Sequence, residues 1–349
     1  MYDVAIIGGG FYGCMIALYF RSLGKKVLVL EKEGDIMLKA SFNNQARVHN
    51  GYHYPRAIMT AESSHKNYFR FIKEFSQAVK DNFLMTYVIA KGSKTSPEDF
   101  EALYNRIGSP LAPPHERVMS LINKDLIQRA YTVEERVFDG DILRSIVWHR
   151  LFESGVDVVC NANVLKVSEG QLKILTYNTN KEKVIESERI INSSYAGLND
   201  LLEASGLPLL PIKMQNTVMP LIKVPREFED LGVTIMDGHF FAVMPFPPLG
   251  LHTIHHVRLT PAEGEHEDEI IEDASRFIPC LVKSKHKGSI KEVKVLLTQN
   301  NKDDGRPSLF KKDYGFKGFD VVMGGKLDNI YEIIEMFEDG DNTNLNIVT

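Results

Sequence analysis

Apolar residues come in short unbroken runs at the two ends of the chain and in alternation through its middle. Val4-Ala5-Ile6-Ile7 and Val27-Leu28-Val29-Leu30 are runs of the kind that form strands buried on both faces. Between them, Met15 to Leu23 carries apolar residues at helical spacing, and Gly24 stands where a glycine commonly ends a helix. The pattern predicts a strand, a turn, a helix and a second strand over residues 2–32. Further on, Thr60 is positioned to cap an amphipathic helix reaching Val79. Phe83, Met85, Tyr87 and Ile89 alternate as a strand, and Ser96-Pro97-Glu98-Asp99 opens another helix with capping chemistry. Asp139-Gly140-Asp141 introduces a helix over 142–154.

The remainder is richer in strands. Residues 155–160 and 164–167 are expected to form a strand pair, with a hairpin-like excursion at 178–183. Residues 189–199 read as a strand entering a glycine turn and a helix. Strands are expected at 211–223, 240–245, 251–259 and 289–298, with an acidic helix over 263–277. Asp303 to Pro307 reads as a turn. Phe319-Asp320-Val321-Val322-Met323 is a buried strand feeding Gly324-Gly325-Lys326 and a helix over 327–337. Residues 339–349 form a polar tail.

The turn after the first strand carries the first chemistry. Gly8-Gly9-Gly10-Phe11-Tyr12-Gly13 has the spacing G-x-G-x-x-G. Gly8 permits a tight turn, Gly10 lets a pyrophosphate approach the backbone, and Gly13 lets helix and strand pack closely. The helix N-terminus offers amides and partial positive charge to phosphates. Glu31, at the end of the second strand, suits ribose hydroxyls and disfavours a 2′-phosphate. A glycine pattern alone is weak, but the flanking strands and the acid make this one a dinucleotide site.

Composition narrows the alternatives. The 349 residues are 44% hydrophobic and 25% charged, ordinary values for a globular chain. A formal net charge of −5, without a basic cluster, argues against nucleic acid as partner. Cys14, Cys160 and Cys280 are odd in number and far apart, which reads as free thiols in a reducing, cytoplasmic setting. No Cys/His ligand spacing points to a metal. The first strand begins at Tyr2, leaving no room for a targeting peptide, and no apolar run approaches membrane-spanning length. The apolar loops 207–212 and 245–251 leave peripheral membrane contact open.

Taken in order, Gly8–Glu31, Ala40–Pro55, Gly155–Val167 with Ile190–Gly197, and Asp303–Pro307 with Gly324–Leu327 resemble landmarks of the FAD-dependent amino-acid and hydroxy-acid oxidoreductases. That group includes the D-amino-acid oxidase, glycine oxidase, sarcosine oxidase and L-2-hydroxyglutarate oxidase families. The resemblance spans almost the whole chain. It implies an α/β fold: a Rossmann-like FAD-binding domain of glutathione-reductase type with a parallel sheet, and an inserted, mainly antiparallel β-sheet substrate domain. The FAD-binding domain would take 1–80, 139–205 and 299–349, and the substrate domain 81–138 and 206–298. Tyr195 departs from the family's usual Asn-Ala-Thr-Gly or Asn-Ala-Ala-Gly pattern.

The resemblance also implies site residues. FAD would be held by Gly8, Gly10, Phe11, Tyr12, Gly13, Glu31, Lys32, Asn44, Gln45, Val164, Ser194, Gly197, Gly325, Lys326 and Leu327. The helix start at Gly325-Lys326-Leu327 would face the flavin pyrimidine ring, where negative charge develops on reduction. Arg306, in its Gly-Arg-Pro setting, would grip a substrate carboxylate bidentately. His49 would stand beside the ring noncovalently, because its His-Asn-Gly setting is one residue shorter than the covalent pattern. A 2-hydroxy acid needs a base for its hydroxyl proton, whereas a neutral amine needs none. In 251–258, strand alternation puts His252, Ile254, His256 and Arg258 on one face and His255 on the other. His256 and His49 are therefore candidate bases, with His239 a further one and Lys326 near the flavin. The expected activity is oxidation of the α-carbon of a carboxylate-bearing 2-hydroxy acid by hydride transfer to flavin N5. An amine or amino-acid oxidase or dehydrogenase of the same fold, and a dinucleotide-binding scaffold without turnover, are the alternatives. The electron acceptor stays open.

Overall fold

The structure, a computed structural model, describes residues 1–261, 264–298 and 308–339. The chain begins with β1 (Tyr2–Ile7), α1 (Phe11–Ser22) and β2 (Val27–Leu30), followed by β3 (Arg47–Val48) and α2 (Ile58–Glu74). Then come β4 (Val79–Lys80), β5 (Leu84–Ala90), α3 (Pro97–Ile107), β6 (Leu111–Ala112), α4 (Glu116–Met119), β7 (Ile127–Val133) and β8 (Arg136–Phe138). Helix α5 (Gly140–Ser154) leads to β9 (Asp157–Val159), β10 (Ala162–Ser168), β11 (Gln171–Thr176), β12 (Lys181–Asn192) and α6 (Leu198–Ala204). The second half holds β13 (Ile212–Lys223), β14 (Leu231–Met236), β15 (Phe241–Phe246), β16 (Leu251–His256), α7 (Glu267–Phe277) and β17 (Lys285–Leu297). It closes with β18 (Leu309–Lys311), β19 (Phe319–Met323) and α8 (Ile330–Glu338).

The first sheet runs β10-β11-β12-β1-β2-β9, with β19 also against β12 and β18 against β19. Its centre is parallel: β1 pairs with β2 and β12, and β12 also pairs with β19. The alternation of β1 sends Val4 and Ile6 into one core with α1, α2 and α5, and Ala5 and Ile7 into another with α6. Both faces are covered, which is why the run contains no polar residue. The chain leaves β1 toward β2 on one side, and β12 lies on the other. Such a switch point opens a crevice at the C-terminal ends of the strands.

The second sheet runs β17-β13-β16-β15-β14-β5-β7-β6 and is antiparallel except for the parallel pair β14–β5. A three-stranded sheet, β3-β8-β4, sits apart from it. Every strand between 84 and 133 and between 212 and 297 belongs to the second sheet. That membership supports the division into two domains, which we offer as a proposal. Among the described residues no helix is long and apolar enough to cross a membrane, and no group of three His, Cys, Asp or Glu is placed to hold a metal ion.

Local signals explain the helix ends. Ser96 accepts the Asp99 amide at the start of α3, and Gly108 ends it in the left-handed region. Asp139 accepts the amides of Asp141 and Ile142, and Gly155 ends α5 in the same way. Other expectations need correction. Helix α2 starts at Ile58 after Ala57, so Thr60 lies inside it, and it ends at Glu74 because 79–80 pair with β8. β9 and β10 do not pair with each other: Asn161 turns the chain at a φ of 55°, sending β9 to β2 and β10 to β11. The final helix is preceded by a 3-10 turn at Leu327–Asn329. β14 had no counterpart among the expected strands. The turn at 303–307 and the tail beyond 339 lie outside the described residues.

Candidate active site

Four parallel strands end at one cavity of about 1290 Å³. The loops after β1, β2, β12 and β19 form its wall on the first sheet, through Gly8 and Gly10–Tyr12, Glu31, Ser193–Gly197 and Gly324–Asp328. Residues of the second sheet, among them Thr234, Phe241, Ala242 and His255, form the opposite wall with Asp237 from the turn after β14.

The glycine turn has the shape its sequence demands. Gly8 has a φ of +102°, a conformation L side chains avoid, and an added Cβ would meet Ser193 O at 2.9 Å. At Gly13 an added Cβ would lie 1.9 Å from Gly8 O, so only glycine lets α1 sit this close to β1. Gly10 differs. Its would-be Cβ meets only Ser41 Oγ, at 3.3 Å, and Gly10 lines the cavity. The first turn of α1 carries no acidic side chain, and Ser41 Oγ accepts the Phe11 amide at 2.9 Å. The positive helix end is therefore unopposed by a carboxylate within its own first turn, as a phosphate cradle requires.

The proposed cofactor contacts share this cavity. Gly8, Gly10, Phe11, Tyr12, Glu31, Lys32, Asn44 and Gln45 line it, as do Val164, Ser194, Gly197, Gly325, Lys326 and Leu327. Gly13 lies behind the lining, as the packing glycine. The Phe11 ring is buried against Phe71 and Phe75. Glu31 accepts the amides of Gly9 at 2.6 Å and Glu33 at 2.8 Å, leaving further lone pairs for hydroxyls. Asn44 braces its own loop, accepting the Ala46 amide at 2.6 Å, and Gln45 donates to Ala242 O at 3.2 Å on the second sheet. Tyr12 donates to Lys326 O at 2.6 Å, tying the first turn to the last segment, and a Cβ at Gly324 would strike its hydroxyl. Tyr195 accepts the Val295 amide at 3.0 Å, joining the loop after β12 to β17 of the second sheet. Lys326 directs Nζ to Ser64 Oγ, with Asp328 Oδ2 at 3.4 Å, above the Tyr54 ring.

The histidines separate clearly. His49 lines the cavity and places Nδ1 3.0 Å from Glu135 Oε1. His53 and Tyr54 stand beside its ring, with centroids at 5.4 and 5.6 Å. Burial lowers the His49 pKa from its ordinary value, although Glu135 pulls the other way. His256 does not line the cavity. Its Nε2 meets Asp273 Oδ2 on α7 at 3.2 Å and its Nδ1 accepts the amides of Arg258 and Leu259, so it is not carried forward as a base. His252, on the same face, bonds Leu231 O and is pushed down to about 4 by burial. The alternation held, but the face toward the cavity is that of His255; His239 lines it too. Arg306 lies outside the described residues.

Several groups at this site carried no sequence signal. Glu135 is fully buried and is bonded by Arg47 Nη2 at 2.5 Å and by Tyr87 OH at 3.1 Å. In sequence, Glu134-Glu135-Arg136 looks like an exposed charged turn. Arg56 Nε donates to Asp237 Oδ2 at 2.6 Å, with Lys94 nearby on the cavity lining. Burial alone would raise the Glu135 pKa, but Arg47 and His49 more than offset it and hold the carboxyl at about 2. A carboxylate depressed on folding contributes stability above its unfolded pKa of about 4.3 and loses it as pH falls toward the folded value. Thermal unfolding followed from pH 6 to pH 3 should therefore show a steeper loss of stability in the parent than in Glu135→Gln; parallel curves would refute this.

A glycine turn at a switch point, an acid at the end of β2 and a cavity walled by a second sheet are the features of a dinucleotide-binding oxidoreductase. The model of the FAD dependent oxidoreductase (DAO) family matches residues 3–304, and the chain belongs to that family, with FAD as its cofactor. It is similar to the Aspergillus flavus protein named FAD-dependent monooxygenase kojA, at 27% identity over 260 residues, 69% of this chain. The match spans only 58% of that relative's length. Among solved structures, glycine oxidase from Geobacillus kaustophilus superposes with a TM-score of 0.75 at 13% identity, covering 99% of this chain and 96% of its own. L-α-Glycerophosphate oxidase from Mycoplasma pneumoniae with FAD bound gives 0.75 at 14%, covering 99% and 97%. At these identities the likeness is one of fold.

Proposed function

We propose that the chain oxidises the α-carbon of a carboxylate-bearing 2-hydroxy acid to the 2-oxo acid. The observation that carries this reading is His49 at the cavity wall with Nδ1 on an ionised, buried carboxylate. FAD, when bound, supplies the two-electron acceptor, with flavin N5 as the hydride site. His49 takes the hydroxyl proton on Nε2, the step an alcohol requires and a neutral amine does not. Arg306, proposed from its Gly-Arg-Pro setting, binds the substrate carboxylate. Lys326, buried at the cavity edge, supplies a fixed positive charge beside the reacting groups. Asp237 keeps Arg56 oriented on the second-sheet side.

The test is an anaerobic screen of the yellow holoprotein against 2-hydroxy acids, amino acids and sugar acids. Bleaching by a 2-hydroxy acid is expected, and bleaching by amino acids alone would overturn the reading. The name of the fungal relatives motivates a second reading, in which oxygen enters the product. Turnover under ¹⁸O₂ separates the two: α-carbon oxidation leaves the organic product unlabelled, and insertion labels it.

A further inference from the structure

We propose that Glu135 is a positioning residue for His49, fixing the imidazole with its proton on Nδ1 and its lone pair on Nε2, and that Arg47 and Tyr87 hold Glu135 to that task. The inference rests on the reading of His49 as the base.

The geometry follows from register. β3 pairs with β8 so that Arg47 faces Val137 and Val48 faces Arg136. One step further along the same antiparallel pairing, His49 falls opposite Glu135. Arg47 and His49 are two apart on an extended segment and so point to one side. Both meet Glu135 there, Arg47 at Oε2 and His49 at Oε1. Tyr87, on β5, adds a bond to Oε2 from the second sheet. The carboxylate is thus fastened from two strands, β3 and β5, and is wholly buried.

An ionised carboxylate only accepts hydrogen bonds. The nitrogen facing it must therefore carry the proton, which leaves Nε2 with the lone pair. The same negative charge stabilises the imidazolium formed when a substrate proton arrives. Arg47 prevents the buried Glu135 from taking that proton itself. The other groups facing His49 are His53 and Tyr54 from the following loop, with Asp328 from the segment after β19 and Lys326 over the Tyr54 ring. Nδ1 itself faces Glu135 Oε1, at 3.0 Å.

The test uses holoprotein labelled with ¹⁵N-histidine, with His49→Asn to assign the His49 signals. The parent at pH 8 should show His49 protonated on Nδ1. In Glu135→Gln the amide can present either an oxygen or an NH₂, so that preference should weaken or invert. kcat should fall by on the order of 10²- to 10⁴-fold with KM little changed. The acid limb of the kcat profile should move to lower pH, because removing the negative charge lowers the His49 pKa. Flavin content should stay near that of the parent. In a His49→Asn background, Glu135→Gln should cost less than about twofold, since residues acting through one another are not additive. A purely structural Glu135 would leave the tautomer and the acid limb in place, and that result would overturn the proposal. So would a parent spectrum with His49 protonated on Nε2, whether or not Glu135→Gln folds. Unchanged turnover in His49→Asn would instead defeat the base reading, leaving the tautomer measurement to decide the positioning claim.

Discussion

Gly10→Ala should yield a folded protein that has lost most of its flavin. The Gly10 backbone, at φ −68° and ψ 174°, is open to any L residue, and its added Cβ meets only the Ser41 hydroxyl. The methyl group instead occupies the cavity side of the turn, where the pyrophosphate approaches the helix end. A steric misfit of this kind costs about 1–3 kcal/mol, on the order of 10- to 100-fold in affinity. Gly13→Ala makes the contrast. There the Cβ collides with the Gly8 carbonyl at 1.9 Å, so α1 and β1 must separate, and thermal stability should fall together with flavin content. Flavin absorbance per protein and unfolding midpoints for both variants check this. Gly10→Ala with full flavin, or with a loss of stability matching that of Gly13→Ala, would show that the turn is not the phosphate cradle.

His49→Ala should retain flavin yet lose about 10²- to 10⁴-fold in kcat with a 2-hydroxy acid, the range a positioned general base contributes. His49 directly follows β3 of the small sheet and is not part of the glycine turn, so the cradle is left intact. In the parent, protonation of His49 switches the base off, and burial sets that transition below the ordinary histidine value. The acid limb of kcat should therefore lie below pH 6.5, histidine's usual pKa of about 6.5, and should vanish in His49→Ala. Stopped-flow flavin reduction across pH measures both. A variant that reduces its flavin at the parental rate would remove His49 from the mechanism.

The parts of the fold legible in the sequence are those specified locally. Val27–Leu30 and Phe319–Met323 were readable to the residue, the first as an unbroken apolar run and the second as an apolar run interrupted only by Asp320, whose buried carboxylate is paired with Arg189. The glycine turn was readable because its backbone demands are met within six residues. Partners joined by long-range register were not. Arg47 and Glu135 are 88 residues apart, and only the β3–β8 pairing brings them together. β14, Leu231–Met236, is buried throughout, but Gly232 and Thr234 break its apolar run, and its parallel partner β5 lies far back in the chain. Alternation correctly separated His255 from His256, yet a two-fold period carries no information about which face meets a cavity. Gly324 had a reason no local pattern reveals: the Tyr12 hydroxyl, from the other end of the chain, fills the place of its side chain.

The central claim is that this site removes hydride from a substrate α-carbon while His49 takes the hydroxyl proton. The most direct measurement is anaerobic stopped-flow bleaching of the holoprotein with a 2-hydroxy acid carrying hydrogen or deuterium at C2. The account predicts bleaching that is slower with deuterium and that loses its dependence on a group titrating below pH 6.5, under histidine's usual value of about 6.5, when His49 is replaced by Ala. Bleaching by no 2-hydroxy acid, or bleaching insensitive to both the isotope and the substitution, would contradict it.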